Sequence, residues 1–213
     1  AMNFELIIDS GRSESVIALL QDKRLIELHK EKNNNSYSVG DIYLGRVKKV
    51  VAGLNAAFVD VGYEKDGFLH YLDLGQNVNS FKKFTHKTII RKLNTASLKS
   101  FKLEKKINKS GLIGDILNAG DQILVQVSKE PISSKGPRLT TEITIAGRYM
   151  VLLPFSNKVS LSQKINSKDE KVRLKRLLQS IKPEGFGIIV RTVAVGKKVL
   201  ELDSTLKDSY KRW

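Results

Sequence analysis

Apolar and polar side chains alternate through the first thirty residues. Phe4-Glu5-Leu6-Ile7-Ile8, Ser15-Val16-Ile17-Ala18-Leu19-Leu20 and Arg24-Leu25-Ile26-Glu27-Leu28-His29 are short runs divided by Ser10-Gly11-Arg12-Ser13 and Gln21-Asp22-Lys23, and they predict a three-stranded meander. The polar stretch Lys32-Asn33-Asn34-Asn35-Ser36 then predicts a boundary, with a first domain part over 2–37. A new β-rich unit starts near Val39-Gly40-Asp41. Strands at about 42–51, 54–61, 67–72 and 122–129 have the spacing of a small five-stranded antiparallel OB-fold barrel over 38–130, with an insertion at about 76–118 between the last two of these strands.

Beyond the barrel, Leu139 to Thr144 and Arg148 to Leu153 alternate like a hairpin around Ala146-Gly147. Ser167-Lys168-Asp169-Glu170 is a capping box opening a helix whose Leu174, Leu177, Leu178 and Ile181 share one face, stopped by Pro183 and Gly185. Gly187 to Thr192 reads as a buried strand whose end exposes Arg191 and Thr192. A last helix carries Val199, Leu202, Leu206, Tyr210 and Trp213 on one stripe. No internal repeat is present. The expected fold is α+β: one domain in two parts, 2–37 and 131–213, interrupted by the barrel.

Charge narrows the choice of partner. The 213 residues include 37 Lys and Arg against 22 Asp and Glu, a net charge of +15, so a polyanion, nucleic acid first, is the expected ligand. The insertion alone holds ten Lys and Arg against Glu104 and Asp115, either as a solvated, partly disordered excursion or as a direct RNA contact. The absence of cysteine excludes a disulfide framework and a Cys-ligated zinc within this chain and fits a reducing cytoplasm. No basic n-region or apolar run near the ~18 residues of a membrane span is present, so no membrane insertion is expected. Ala1 before Met2 reads as the remnant of a cleaved tag, and the stop at Trp213 inside an amphipathic run reads as an engineered truncation.

Strand alternation sorts the candidate binding residues. Ala56, Phe58 and Asp60 share one face and Ala57, Val59 and Val61 the other; Phe68 sits with Asp66 and His70, opposite Leu69 and Tyr71. Two rings on a polar face form a stacking platform for single-stranded nucleic acid, the alternative being that both fold inward at a barrel rim. Lys135, in the loop Ser134-Lys135-Gly136, is placed to meet a backbone phosphate or simply to be solvated.

Asp41-Ile42-Tyr43-Leu44-Gly45-Arg46-Val47, Asn55-Ala56-Ala57-Phe58-Val59-Asp60, Lys135-Gly136 with Leu139-Thr140-Thr141, Arg148 to Pro154, and Ile189-Val190-Arg191-Thr192 follow in the order found in the N-terminal part of ribonuclease E/G endoribonucleases. The chain resembles that family over nearly its whole length, its G branch more than its E branch. The resemblance implies an OB barrel of the ribosomal-protein type inserted in an RNase H-like domain. It assigns Phe58, Phe68 and Lys135 to RNA binding, and Gly147, Val151, Arg191 and Thr192 to a sensor of a 5′-monophosphate. An arginine fork and a hydroxyl at a strand end suit a terminal phosphate; the alternative for Arg191 is an ion pair with an acidic neighbour. Where the E branch has two adjacent arginines, this chain has Gln163-Lys164, which leaves Lys164 as a weaker candidate. The insertion is longer than usual for the family and is assigned no family role.

Family cleavage is metal-assisted and needs clustered carboxylates. Asp9, Glu201, Asp203 and Asp208 are the available acids in the flanking parts, but Asp9 beside a Ser-Gly turn and Asp203 before Ser204-Thr205 read better as caps. The resemblance implies that the Mg²⁺ carboxylates, in a DNase I-like domain, and a zinc-binding cysteine pair lie past Trp213, in a homo-oligomeric cytoplasmic parent acting in rRNA processing, RNA processing and decay. This chain is therefore expected to bind single-stranded RNA without cutting it. Two other readings are a stand-alone RNA-binding module and a basic surface for proteins or anionic membranes.

Overall fold

The structure, a computed structural model, describes residues 2–10, 14–32 and 37–213, with backbone only at residues 9, 10, 14–16 and 29–32. It divides into two compact units, Ala1–Ser38 and Val39–Trp213.

The first unit is the expected meander: β1 (Phe4–Ser10), β2 (Glu14–Gln21) and β3 (Arg24–Lys32), antiparallel in that order. Gln21 pairs with Arg24 across a two-residue turn in which Asp22 and Lys23 both have positive φ, 47° and 65°, the twist that suits a hairpin. Its described strands form a three-stranded sheet of their own.

In the second unit, β4 (Ile42–Val51), β5 (Ala56–Asp60), β6 (Gly67–His70), β7 (Gln122–Lys129) and β8 (Arg138–Thr140) close into a barrel of order β4-β5-β6-β8-β7. The expectation of an all-antiparallel barrel is corrected: β6 and β8 run parallel, Phe68 opposite Arg138. The reason is parity, since an odd number of strands in a closed ring cannot alternate direction all the way round. The closing strand also lies past residue 130, in a stretch expected to be one arm of the hairpin. Val47, Ala57, Val59, Leu69, Ile123, Val125, Val127 and Leu139 fill the interior.

The insertion is folded. Helix α1 (Val78–Ile89) buries Val78, Phe81 and Phe84, and the chain after it places Leu98 in the same core, with Leu93 and Phe101 against it. Hydrogen bonds fasten its far end to the barrel. The Asn55 amide donates to Gly111 O and accepts from Ile113 N, both at 2.8 Å, and Tyr71 Oη donates to Asn108 O at 2.6 Å. The excursion reading fails because these aromatic residues have a core to enter, while most of the lysines stay exposed.

The remainder is a four-stranded sheet, β11-β12-β10-β9, built from β9 (Ile145–Ala146), β10 (Met150–Pro154), β11 (Val159–Leu161) and β12 (Phe186–Val190). Helices α2 (Lys168–Ile181) and α3 (Val199–Arg212) cover it, with Leu174, Leu178, Leu202 and Leu206 in the core. The capping box is half-formed: Ser167 Oγ accepts from Glu170 N at 3.2 Å, but the Glu170 carboxylate is engaged elsewhere. Val199, expected on the buried stripe, is exposed. Trp213 packs on Phe81, Phe84, Phe155 and Phe186, and its indole N–H donates to Ala96 O at 2.9 Å. The insertion and the last helix thus share one aromatic core.

Candidate nucleic-acid interface

Phe58 and Phe68 are direct partners across β5 and β6. Their ring centroids lie 5.7 Å apart at 67°, the edge-to-face arrangement favoured by the ring quadrupoles. Both are half-buried, while Ala57, Val59 and Leu69, one position away in the strands, are fully buried. Alternation thus keeps the rings out of the interior. Ala56, expected on the ring face, is fully buried, so the polar face begins only at Phe58.

Two cations complete the row, and alternation along single strands does not reveal either. A bulge between Val47 and Lys49 shifts the register of β4 so that Lys49 opposes Phe58, with its ammonium 5.0 Å from the ring centroid. On the other side Arg138 opposes Phe68 and is held by Asp73 at 3.2 Å. The sequence signal for Arg138 is Pro137-Arg138-Leu139-Thr140, legible as a strand only once the barrel is known to lack one. Lys49, Phe58, Phe68 and Arg138 therefore cross four strands as a single cation–ring–ring–cation row.

Lys135 is exposed on a loop built against the head of β6. Backbone bonds link Ile132 and Lys135 in both directions, the Lys65 ammonium donates to Ser133 O at 2.6 Å, and Phe68 N donates to Pro137 O at 2.9 Å. Gly136 makes the approach possible, since a Cβ there would strike the Asp66 carbonyl and come within 2.7 Å of Lys65 O. The Lys135 loop is thus fixed beside the start of β6, the strand that carries Phe68.

A second constellation lies at the end of β12. Sheet order brings Val151 of β10 between Ala146 of β9 and Ile189 of β12. Arg191 leaves β12 exposed, its backbone N–H on Tyr149 O at 2.8 Å, and Nη1 donates to Gly147 O at 3.1 Å and Arg148 O at 3.3 Å. Among the described residues it has no ion pair, so the acidic-neighbour alternative is not realised. Two carbonyls aim the guanidinium and leave its other donors available to an anion. Thr192 Oγ1 lies 3.0 Å from Ser162 Oγ, which also accepts from Lys164 N at 3.3 Å. Gly147 closes the β9–β10 turn onto Met150 O, where a Cβ would be 2.7 Å from Ser209 Oγ. Arg148 and Lys197 lie 5.3 and 5.7 Å from the Tyr149 ring, adding positive charge beside the same corner.

Glu170 fastens the loop after this corner. Its carboxylate takes two bonds from Arg173, at 2.6 and 2.9 Å, and one from Gly196 N at 2.9 Å. The Arg173 guanidinium first, then the Gly196 amide, hold the carboxyl at about 2 instead of the usual 4.5.

The remaining acids do not converge. Asp203 lies inside α3, paired with Lys207 at 2.9 Å, which corrects its reading as an N-cap. Glu201 instead accepts from Lys198 N at the helix start, at 3.1 Å. The Asp9 side chain lies outside the described residues. Among the described residues no group of three or more His, Cys, Asp or Glu is placed to hold a metal ion, and no helix is long and apolar enough to cross a membrane.

The sequence has counterparts in known proteins. The model of the Ribonuclease E/G family matches residues 144–213, which include the Arg191 corner. Ribonuclease G of Haemophilus influenzae is 36% identical over 198 residues, 93% of this chain and 36% of that protein. Ribonuclease G of Escherichia coli K12 is 34% identical over 208 residues, 95% of this chain and 38% of that protein. Ribonuclease E of Synechocystis is 38% identical over 182 residues, 85% and 23% respectively. The chain spans less than two fifths of the length of these curated relatives. With two ribonuclease types aligned along most of its length and the family model covering the sheet that carries Arg191, the chain belongs to the ribonuclease E/G family.

Proposed function

We propose that this chain is the RNA-binding part of an endoribonuclease, holding single-stranded RNA on Phe58, Phe68 and Lys135 and reading a 5′-monophosphate at Gly147, Val151, Arg191 and Thr192, with Lys164 alongside. The observation that carries the reading is Arg191, exposed, aimed by two carbonyls and without a carboxylate among the described residues. A guanidinium so placed supplies charge-assisted bonds to a terminal phosphate, and the Thr192 hydroxyl lies next to it in sequence. Cleavage, in this proposal, uses Mg²⁺ held by carboxylates of another part of a homo-oligomeric cytoplasmic parent that also carries structural zinc. No step through a metal is assigned to this chain. The RNase H-like reading of the parts flanking the barrel belongs to the same proposal and rests on the family resemblance.

The test compares one single-stranded RNA bearing a 5′-monophosphate with the same RNA bearing a 5′-hydroxyl. The phosphate form binds more tightly, and Arg191→Lys, which keeps the charge and loses the fork, removes most of a preference of roughly tenfold or more. Equal binding of the two RNAs by the unaltered chain defeats the sensor assignment. Added Mg²⁺ leaves both RNAs intact, and specific metal-dependent cutting would place catalysis within this chain.

A further inference from the structure

The barrel surface that bears the rings continues toward the insertion. Arg46 of β4 lies opposite Asp60 of β5 on one side and Gln122 of β7 on the other. Asp60 is two positions from Phe58 on the same strand, hence on the same face. Two positions along a strand span about 7 Å and neighbouring strands lie about 4.8 Å apart, which sets the Arg46 backbone roughly 8 Å from that of Phe58.

Beside Arg46 opens a cleft of about 510 Å³ whose walls include Lys82, Lys83 and His86 of α1 together with Gly120, Asp121 and Gln122. Lys82 is positioned by Asp121 at 3.6 Å, and Lys83 by Lys102 O at 2.7 Å and by Glu104 at 3.0 Å. Arg46 and His86 are exposed, with no ion pair among the described residues. The lining thus sets three permanent cations, Arg46, Lys82 and Lys83, against one carboxylate, Asp121, while Glu104, paired with Lys83, is not part of it. Ile89 is the one aliphatic residue of the lining, too little for an apolar ligand or a protein hot spot. An open, cationic, polar groove next to stacking rings suits a phosphodiester backbone.

We propose that the cleft between Arg46 and α1 carries the backbone of the same single-stranded RNA whose bases stack on Phe58 and Phe68, so that the insertion lengthens the RNA track of the barrel. The inference rests on the ring reading above. An OB fold covers roughly 4–16 nucleotides, so one strand is long enough to engage both places.

The test is fluorescence anisotropy of a labelled 16-nucleotide oligouridine with a 5′-hydroxyl, which leaves the Arg191 corner without its phosphate, across a salt series. Arg46→Gln lowers the slope of log affinity against log salt by about 0.7, the value of one phosphate contact on a single strand. Arg46→Lys keeps the slope, and His86→Glu weakens binding several-fold. Both positions are exposed, and circular dichroism verifies that each variant is folded. If Arg46→Gln and His86→Glu bind as the unaltered chain does while Phe58→Ala weakens binding, the track is refuted and the ring platform stands. If Phe58→Ala is also without effect, both readings fall.

Discussion

Phe58 and Phe68 oppose each other across an antiparallel pair, edge to face at 5.7 Å, with the Lys49 ammonium over the Phe58 ring, 5.0 Å from its centroid. Replacing Phe58 by alanine should weaken single-stranded RNA by about 1–3 kcal/mol, the worth of one stacked base. The effect on thermal stability should be smaller, because the ring is half-buried. The double variant with Phe68→Ala should lose less than the sum of the two, since each single change already forfeits an aromatic pair worth about 0.5–1.5 kcal/mol. Anisotropy titrations alongside melting curves decide the matter; unchanged affinity in Phe58→Ala would remove the rings from the interface.

Gly136 sets the position of Lys135 through contact with backbone and not with a movable side chain. Gly136→Ala must therefore push the loop away from Lys65 and Asp66, breaking the Lys65–Ser133 bond. RNA affinity should fall at least as far as in Lys135→Ala, with a melting temperature several degrees lower, whereas Lys135→Ala should leave the melting temperature unchanged. A Gly136→Ala chain that melts and binds like the unaltered one would contradict the packing.

Glu170 has its folded pKa depressed from 4.5 to about 2. The sign follows from linkage: a carboxyl that binds its proton less readily when folded stabilises the fold above its unfolded pKa, and that contribution fades as pH falls from about 4.5 toward 2. The melting-temperature difference between the unaltered chain and Glu170→Gln should be constant above about pH 5 and shrink below it. A difference that persists undiminished at pH 2.5 would mean that the charge of Glu170 is not what ties α2 to Gly196.

Elements with a strong local pattern were legible in the sequence. The alternation in Ala56-Ala57-Phe58-Val59-Asp60 set the ring outward, and the apolar run from Phe186 to Val190 set Arg191 at a strand end. What escaped depends on partners far along the chain. Three residues, Arg138 to Thr140, are too short for alternation to mark as a strand. The bulge that turns Lys49 onto Phe58 is a property of pairing with β5. Glu170 had the correct local motif, yet its carboxylate is drawn off by Arg173 and by Gly196, twenty-six positions away. The insertion reads in sequence as a charged excursion or an RNA contact and not as a packed segment, because its aromatic residues find their core against Phe155 and Trp213, which no local window contains.

The parallel pairing of β6 with β8 also governs how the molecule is assembled. Phe68 waits for Arg138, seventy positions downstream, so during synthesis the edge of β6 is left bare until that segment has emerged. A bare strand edge beside apolar Leu69 invites pairing with other chains, and contacts this distant in sequence slow folding.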